Sequence, residues 1–154
     1  HAWQAVRDFR ELFARIGVEK NIPYPGMKET LLRLRDAGKV LCVATSKPEP
    51  FARAIADRFG LAECFDFVGG ASLDDIRTKK AAVIEYVLAS VGSPEPEQVL
   101  MVGDRRHDVE GAAAFGIDCV GVLYGYGSRE ELTAAGACFL AEQPADIADY
   151  VLGK

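Results

Sequence analysis

Apolar positions along this chain switch repeatedly between the three-to-four spacing of helices and short unbroken runs. Trp3, Val6, Phe9, Phe13 and Ile16 recur at helical spacing and stop at Gly17, which predicts an amphipathic helix. Ile22-Pro23-Tyr24-Pro25-Gly26 reads as a turn into a second helix, Met27 to Ala37, closed by Gly38. The unbroken run at 40–44 predicts a buried strand, and the helix that follows, Pro50 to Phe59, is stopped by Gly60. A short strand is expected at 67–70. The helix after it, Lys79 to Val91, carries its stripe at Val83, Ile84, Val87 and Leu88. Further strands are expected at 99–102, 119–123 and 138–140. Helices alternate with them: small residues up to Gly116, then Arg129 to Ala135, then Ala145 to Leu152.

Strands separated by helices of this length pair in parallel through right-handed crossovers. The expected fold class is therefore α/β, a doubly wound parallel sheet. The runs near 40–44, 67–69, 99–102 and 119–123 are expected to share one sheet. No internal repeat or low-complexity segment interrupts the alternation.

Composition narrows the picture. A chain of 154 residues, 49% hydrophobic and 27% charged, suits one globular domain with a real core. Net charge is −5, with both signs interleaved, which speaks against a nucleic-acid partner. No apolar stretch approaches the roughly 20 residues of a membrane span, and the first residues do not read as a signal peptide. Cys42, Cys64, Cys119 and Cys138 include no CxxC pair; Cys42 and Cys119, within apolar runs, read as small buried hydrophobes. The expectation is a cytoplasmic protein without a membrane partner, its oligomeric state open.

Chemistry concentrates at three strand ends, where open α/β sheets hold their ligands. After the run at 40–44 come Thr45, Ser46 and Lys47. A hydroxyl and backbone N–H groups near a helix start suit a phosphate oxygen, although Thr45 or Ser46 could equally cap the helix. Lys79 and Lys80 open the next helix, where a cation opposes the helix dipole and so suggests an anionic partner. After the run at 99–102 comes Gly103-Asp104, and Asp108 follows four residues later. Paired acids there suit a hard cation such as Mg²⁺; the plain alternative is an N-cap acid and a surface acid.

Val43-Ala44-Thr45-Ser46-Lys47-Pro48, the later lysine and Gly103-Asp104-x-x-x-Asp108 together resemble the second, third and fourth motifs of the haloacid dehalogenase superfamily. Tyr24-Pro25-Gly26, Phe59-Gly60-Leu61, Phe65-Asp66 and the run from Gly121 to Gly127 look like its phosphoglycolate-phosphatase-like branch, which carries a helical cap. The resemblance implies that Thr45, with Ser46 and Lys47, binds the transferring phosphoryl group. It implies that Lys80 neutralises that group's charge, since Lys80 followed by Val83 and Ile84 fits the motif better than Lys79. Asp104 would ligate Mg²⁺, and Asp108 would orient the metal's waters or the lysine. His107 has no set role and reads as an exposed loop residue.

One departure stands out. The family's first motif, Asp-x-Asp-Gly-Thr after a strand, supplies the nucleophile and the acid/base, and it does not occur in this chain. Residues 1–22 are expected to be the C-terminal part of the helical cap, and 23–154 the α/β core lacking its first strand. The chain by itself is then expected to be inactive, and truncation is the favoured explanation. The intact protein is expected to be a Mg²⁺-dependent phosphomonoester hydrolase of small phosphorylated metabolites, working through an aspartyl-phosphate. The alternatives are a non-catalytic binding or regulatory module of the same fold and a sugar-phosphate mutase.

Overall fold

The structure is a computed structural model that describes residues 24–153. The helix expected over 3–16 and the cap fragment at 1–22 lie outside the described residues. From residue 24 on, the elements follow the expected order. They are α1 (Met27–Asp36), β1 (Cys42–Pro48), α2 (Glu49–Arg58), β2 (Phe67–Ala71), α3 (Lys80–Ser90) and β3 (Leu100–Gly103). There follow α4 (Arg106–Ala113), β4 (Asp118–Val122), α5 (Arg129–Ala135), β5 (Phe139–Ala141) and α6 (Pro144–Leu152).

Every strand pairing is parallel, but the strands form two sheets. β1 pairs with β2, while β3, β4 and β5 pair in that order. This corrects the expectation of one sheet. Apolar runs specify strands, but they do not specify which edges meet, and β1 and β3 make no ladder with each other. Each therefore keeps an unpaired edge among the described residues. Along β1, Cys42, Val43 and Ala44 are only half-buried, and Val102 of β3 is 38% exposed. Such exposure is unusual for apolar runs in a parallel sheet, which ordinarily is covered on both faces.

Helices cover both faces of the three-stranded sheet, as the alternation of side chains along β4 requires. Val120 and Val122 join Leu34 of α1 and Ile147 and Ala148 of α6 in one core. Cys119 points the other way, into a second core with Val109 and Ala112 of α4 and Leu132 of α5. The helix α3 ties the halves together by packing on β1, β2 and α4. Its buried residues Val83, Ile84 and Val87 are three of the four positions of the expected stripe, and the fourth, Leu88, is half-buried against the second core. Gly69 is required by that packing, because a Cβ there would come within 2.4 Å of Val87 Cγ2.

Candidate active site

β1 ends in a bulge. Ala44 pairs with Gly69 and Pro48 with Ala71, so Thr45, Ser46 and Lys47 lie opposite the single residue Gly70. Bulges of this kind re-aim side chains and backbone beside active sites. The bulge folds down onto β2, where a Cβ at Gly70 would meet Lys47 O at 2.6 Å. Thr45 Oγ1 accepts the Lys47 N–H at 3.2 Å, which closes the turn locally. Neither Thr45 nor Ser46 caps α2, whose N-cap is Pro48 with no side-chain bond. The capping alternative is thereby excluded. Ser46 and Lys47 are exposed and Thr45 is half-buried.

Lys80 is the first residue of α3, and its side chain is largely buried, 13% exposed. It lies three and four residues before Val83 and Ile84, on the face that packs inward. Its stem passes over α4 at Gly111, where a Cβ would lie 3.1 Å from Lys80 Cγ. The ammonium donates to Ala44 O at 2.5 Å and sits 2.8 Å from Asp108 Oδ1. Lys79, the N-cap, is exposed. The anionic partner expected at this helix start is thus supplied first by the protein itself, as Asp108.

Asp108 is buried, and both of its oxygens are engaged. Oδ1 faces Lys80, while Oδ2 accepts the N–H groups of Asp104 and Arg105 at 3.1 and 3.2 Å. It stands in the first turn of α4, where an acid satisfies orphan N–H groups and favours the dipole. The surface-acid alternative therefore fails, and Asp108 is a strut between the lysine and the Asp104 turn. Gly103 leaves room for it, since a Cβ there would lie 2.2 Å from Asp108 Cβ.

Asp104, half-buried, precedes the helix rather than capping it. Its Oδ2 accepts the Tyr126 N–H and its carbonyl accepts the Gly127 N–H, both at 2.9 Å. Oδ1 makes no hydrogen bond among the described residues, and that leaves one carboxylate oxygen for a ligand. Gly125 and Gly127 permit this approach: a Cβ at either would come within 2.3 Å of Asp104. The supporting turn at 124–128 was not anticipated as part of the site. Its signal was the pair of glycines alternating with tyrosines directly after an apolar strand. Tyr24 and Tyr124 pack edge-on nearby, with ring centroids 4.7 Å apart. Burial, then the neighbouring Tyr24 and Asp104, pushes the Tyr124 hydroxyl up to about 12. His107 is exposed, as expected, but it stands in the first turn of α4 rather than in a loop.

The structure thus links Lys80, Asp108 and Asp104 by short contacts, and the Lys80 ammonium reaches across to the carbonyl of Ala44, the residue before Thr45. Among the described residues no three His, Cys, Asp or Glu side chains cluster as a metal centre. A single carboxylate oxygen at Asp104 nevertheless suits Mg²⁺, which is commonly held by one or two carboxylates together with waters and substrate phosphate.

Comparison with known proteins identifies the family. Residues 2–116 match the haloacid dehalogenase-like hydrolase family. The chain belongs to that family. It is 44% identical over 133 residues to a 5'-nucleotidase of Pseudomonas aeruginosa, covering 86% of this chain and 60% of that protein. It is 32% identical over 150 residues to a phosphoglycolate phosphatase of Vibrio vulnificus, covering 97% and 65%. A protein of Mycobacterium tuberculosis named tyrosine-protein kinase PtkA is 45% identical over 129 residues, covering 84% and 44%. A crystal structure of a protein described as a predicted phosphatase from Clostridium acetobutylicum superposes with a TM-score of 0.92. It is 37% identical, and the match covers 97% of this chain and 69% of that one. The chain thus spans between 44% and 65% of the length of these curated relatives.

Proposed function

We propose that the complete protein hydrolyses phosphate monoesters of small metabolites, with Thr45, Lys80, Asp104 and Asp108 forming the phosphoryl site. The observation that carries this reading is the Lys80 ammonium, held between the Ala44 carbonyl and the Asp108 carboxylate beside the Thr45 bulge. An ammonium fixed in a largely buried position meets developing phosphoryl charge without reorganising. The Thr45 hydroxyl and the Thr45 and Ser46 N–H groups bind phosphoryl oxygens, with the Ser46 and Lys47 side chains at the exposed rim. Asp108 holds Lys80 and the Asp104 turn in register. Mg²⁺ at Asp104 Oδ1, when bound, supplies further charge neutralisation.

The nucleophile in this reading is an aspartate outside residues 24–153, carried on a strand that lies between β1 and β3. The unpaired edges of those two strands support it. That carboxylate attacks phosphorus and the P–O bond to the alcohol breaks, the leaving oxygen taking a proton from the same motif's acid/base; water, giving its proton back to that group, then cleaves the acyl phosphate to inorganic phosphate and the free carboxylate. Phosphoglycolate and nucleoside monophosphates are the first substrates to try, given the names of the relatives. A cytoplasmic setting is in keeping with four free thiols, and a net charge of −5 with no nucleic-acid partner.

The test is phosphate release by the complete protein from a panel of phosphomonoesters, with and without Mg²⁺. Asp104→Asn should lose at least about tenfold more activity than His107→Ala, because only the former removes a charged ligand. Equal losses, or none, would show the acid pair to be structural. Isomerised sugar phosphate without free phosphate would identify a mutase, and binding without turnover a non-catalytic module.

A further inference from the structure

The Asp104 turn is held from outside by a residue that none of the motifs includes. Glu131, in the first turn of α5, is the partner of Arg105: Arg105 Nε donates to Glu131 Oε2 at 2.9 Å and an Nη to Oε1 at 3.4 Å. Glu131 Oε2 also accepts the Arg106 N–H at 3.1 Å. One carboxylate therefore engages two successive residues immediately after Asp104. Its own place is fixed by Ser128, whose hydroxyl accepts the Glu131 N–H at 3.0 Å and caps α5. The same carboxylate lies against Gly127, where a Cβ would come within 2.8 Å of Oε2. Gly127 in turn donates to the Asp104 carbonyl. The contacts close a ring from Asp104 through Arg105 and Glu131 to Gly127 and back.

We infer that Glu131 is a positioning residue for the Asp104 carboxylate: the Glu131–Arg105 fork locks the peptide planes flanking Asp104 so that its free Oδ1 keeps one direction. This rests on the reading of Asp104 as the metal ligand. Two facts separate it from a generic surface ion pair. The fork is bidentate, a geometry that constrains direction as well as distance. It is also combined with a backbone N–H bond on the same oxygen, so losing it frees the main chain beside Asp104 as well as a side chain. The adjacent Arg105 also holds the Glu131 carboxyl below the usual carboxylate range, so the fork is intact at neutral pH.

The experiment is calorimetric titration of the complete protein with Mg²⁺ alone, in the absence of substrate, alongside thermal unfolding. Glu131→Ala should weaken Mg²⁺ binding by about tenfold or more, the usual effect of losing an outer partner of a metal ligand. Glu131→Gln, which keeps an acceptor for the Arg106 N–H, should lose less. Arg105→Gln opens the fork without touching Glu131, should also weaken Mg²⁺ binding, and decides the matter if the alanine variant does not fold. Wild-type Mg²⁺ affinity in folded Glu131→Ala or Arg105→Gln would overturn the inference and leave the metal assignment standing. Absence of Mg²⁺ binding in the unaltered protein would overturn both.

Discussion

Lys80 and Asp108 meet at 2.8 Å with side chains only 13% and 11% exposed, and each is the other's ionic partner. The lysine opens α3, which packs on β1 and β2, whereas the aspartate belongs to α4, directly behind β3. Their contact is thus a bond between the two sheets at the end where the candidate site lies. A largely buried pair of this kind is costly to break from one side, because the remaining charge keeps its desolvation penalty.

Lys80→Ala should therefore destabilise the protein by about 3 kcal/mol, within the range for an orphaned buried charge. It should also lower phosphatase turnover at least about a hundredfold, on the view that fixed charges dominate such sites. Lys79→Ala, at an exposed N-cap, should leave both nearly unchanged. Replacing both partners, Lys80→Met with Asp108→Asn, should recover much of the stability and none of the turnover. Chemical denaturation and steady-state kinetics on the four proteins check this. An essential Lys79 beside a dispensable Lys80 would overturn the register.

Glycine positions make a second prediction. At Gly103 and Gly125 a Cβ would sit 2.2 and 2.3 Å from the Cβ atoms of Asp108 and Asp104. Gly103→Ala and Gly125→Ala should each cost about 1–3 kcal/mol, as overpacking does, and should displace the two acids. Gly38→Ala meets nothing within 4 Å and carries only the strain of φ +84°, about 1–2 kcal/mol. All three should lose stability to a similar extent. Only the first two should lose Mg²⁺ binding, measured by the same titration.

Local pattern made most of the elements readable. The stripe Val83, Ile84 and Val87 set which lysine turns inward, because i, i+3 and i+4 share a helix face whatever the rest of the molecule does. α5 matches its expected span, residues 129–135, with Ser128 capping it and Gly136 closing it. What was not readable depends on contacts between distant segments. An apolar run does not reveal whether its neighbour is β3 or a strand from elsewhere, so the divided sheet was missed. The three-residue bulge at Thr45 follows from the fit of Lys47 O against Gly70, and Asp108's second bond from the path of the Asp104 backbone. Glu131 carried no signal at all, because a glutamate in the first turn of a short helix is ordinary.

The tyrosine beside the acids should report on them. Tyr124 has its hydroxyl pushed up to about 12 from 10.0, first by burial and then by Tyr24 and Asp104. Since the folded value is the higher, its stabilising contribution is complete below pH 10 and is lost as pH rises through about 12. Ultraviolet titration should resolve a tyrosine that ionises late, absent in Tyr124→Phe. Asp104→Asn should move that ionisation back by part of the shift only, because burial is the larger cause. Tyr24, Tyr86 and Tyr150 are also raised above the ordinary value, so the decisive step is the last one, near 12; its survival in Tyr124→Phe would refute the assignment.

The unpaired edges of β1 and β3 yield the last prediction. An open strand edge with apolar side chains is a template for pairing with another chain. Val102 is 38% exposed on β3, and Cys42, Val43 and Ala44 are half-buried along β1. If a strand from outside these 154 residues lies between them in the complete protein, amides along both edges gain partners and should resist hydrogen exchange. A polypeptide of these 154 residues alone should instead exchange rapidly at the same amides and self-associate as concentration rises. Val102→Lys should suppress that association in the isolated polypeptide, because an edge charge blocks strand addition, and should destabilise the complete protein by burying the same charge. Hydrogen exchange read by mass spectrometry, with light scattering for the assembly state, separates the alternatives. Equal protection in both proteins would show that β1 and β3 need no strand between them, and the source proposed for the nucleophile would fall with it.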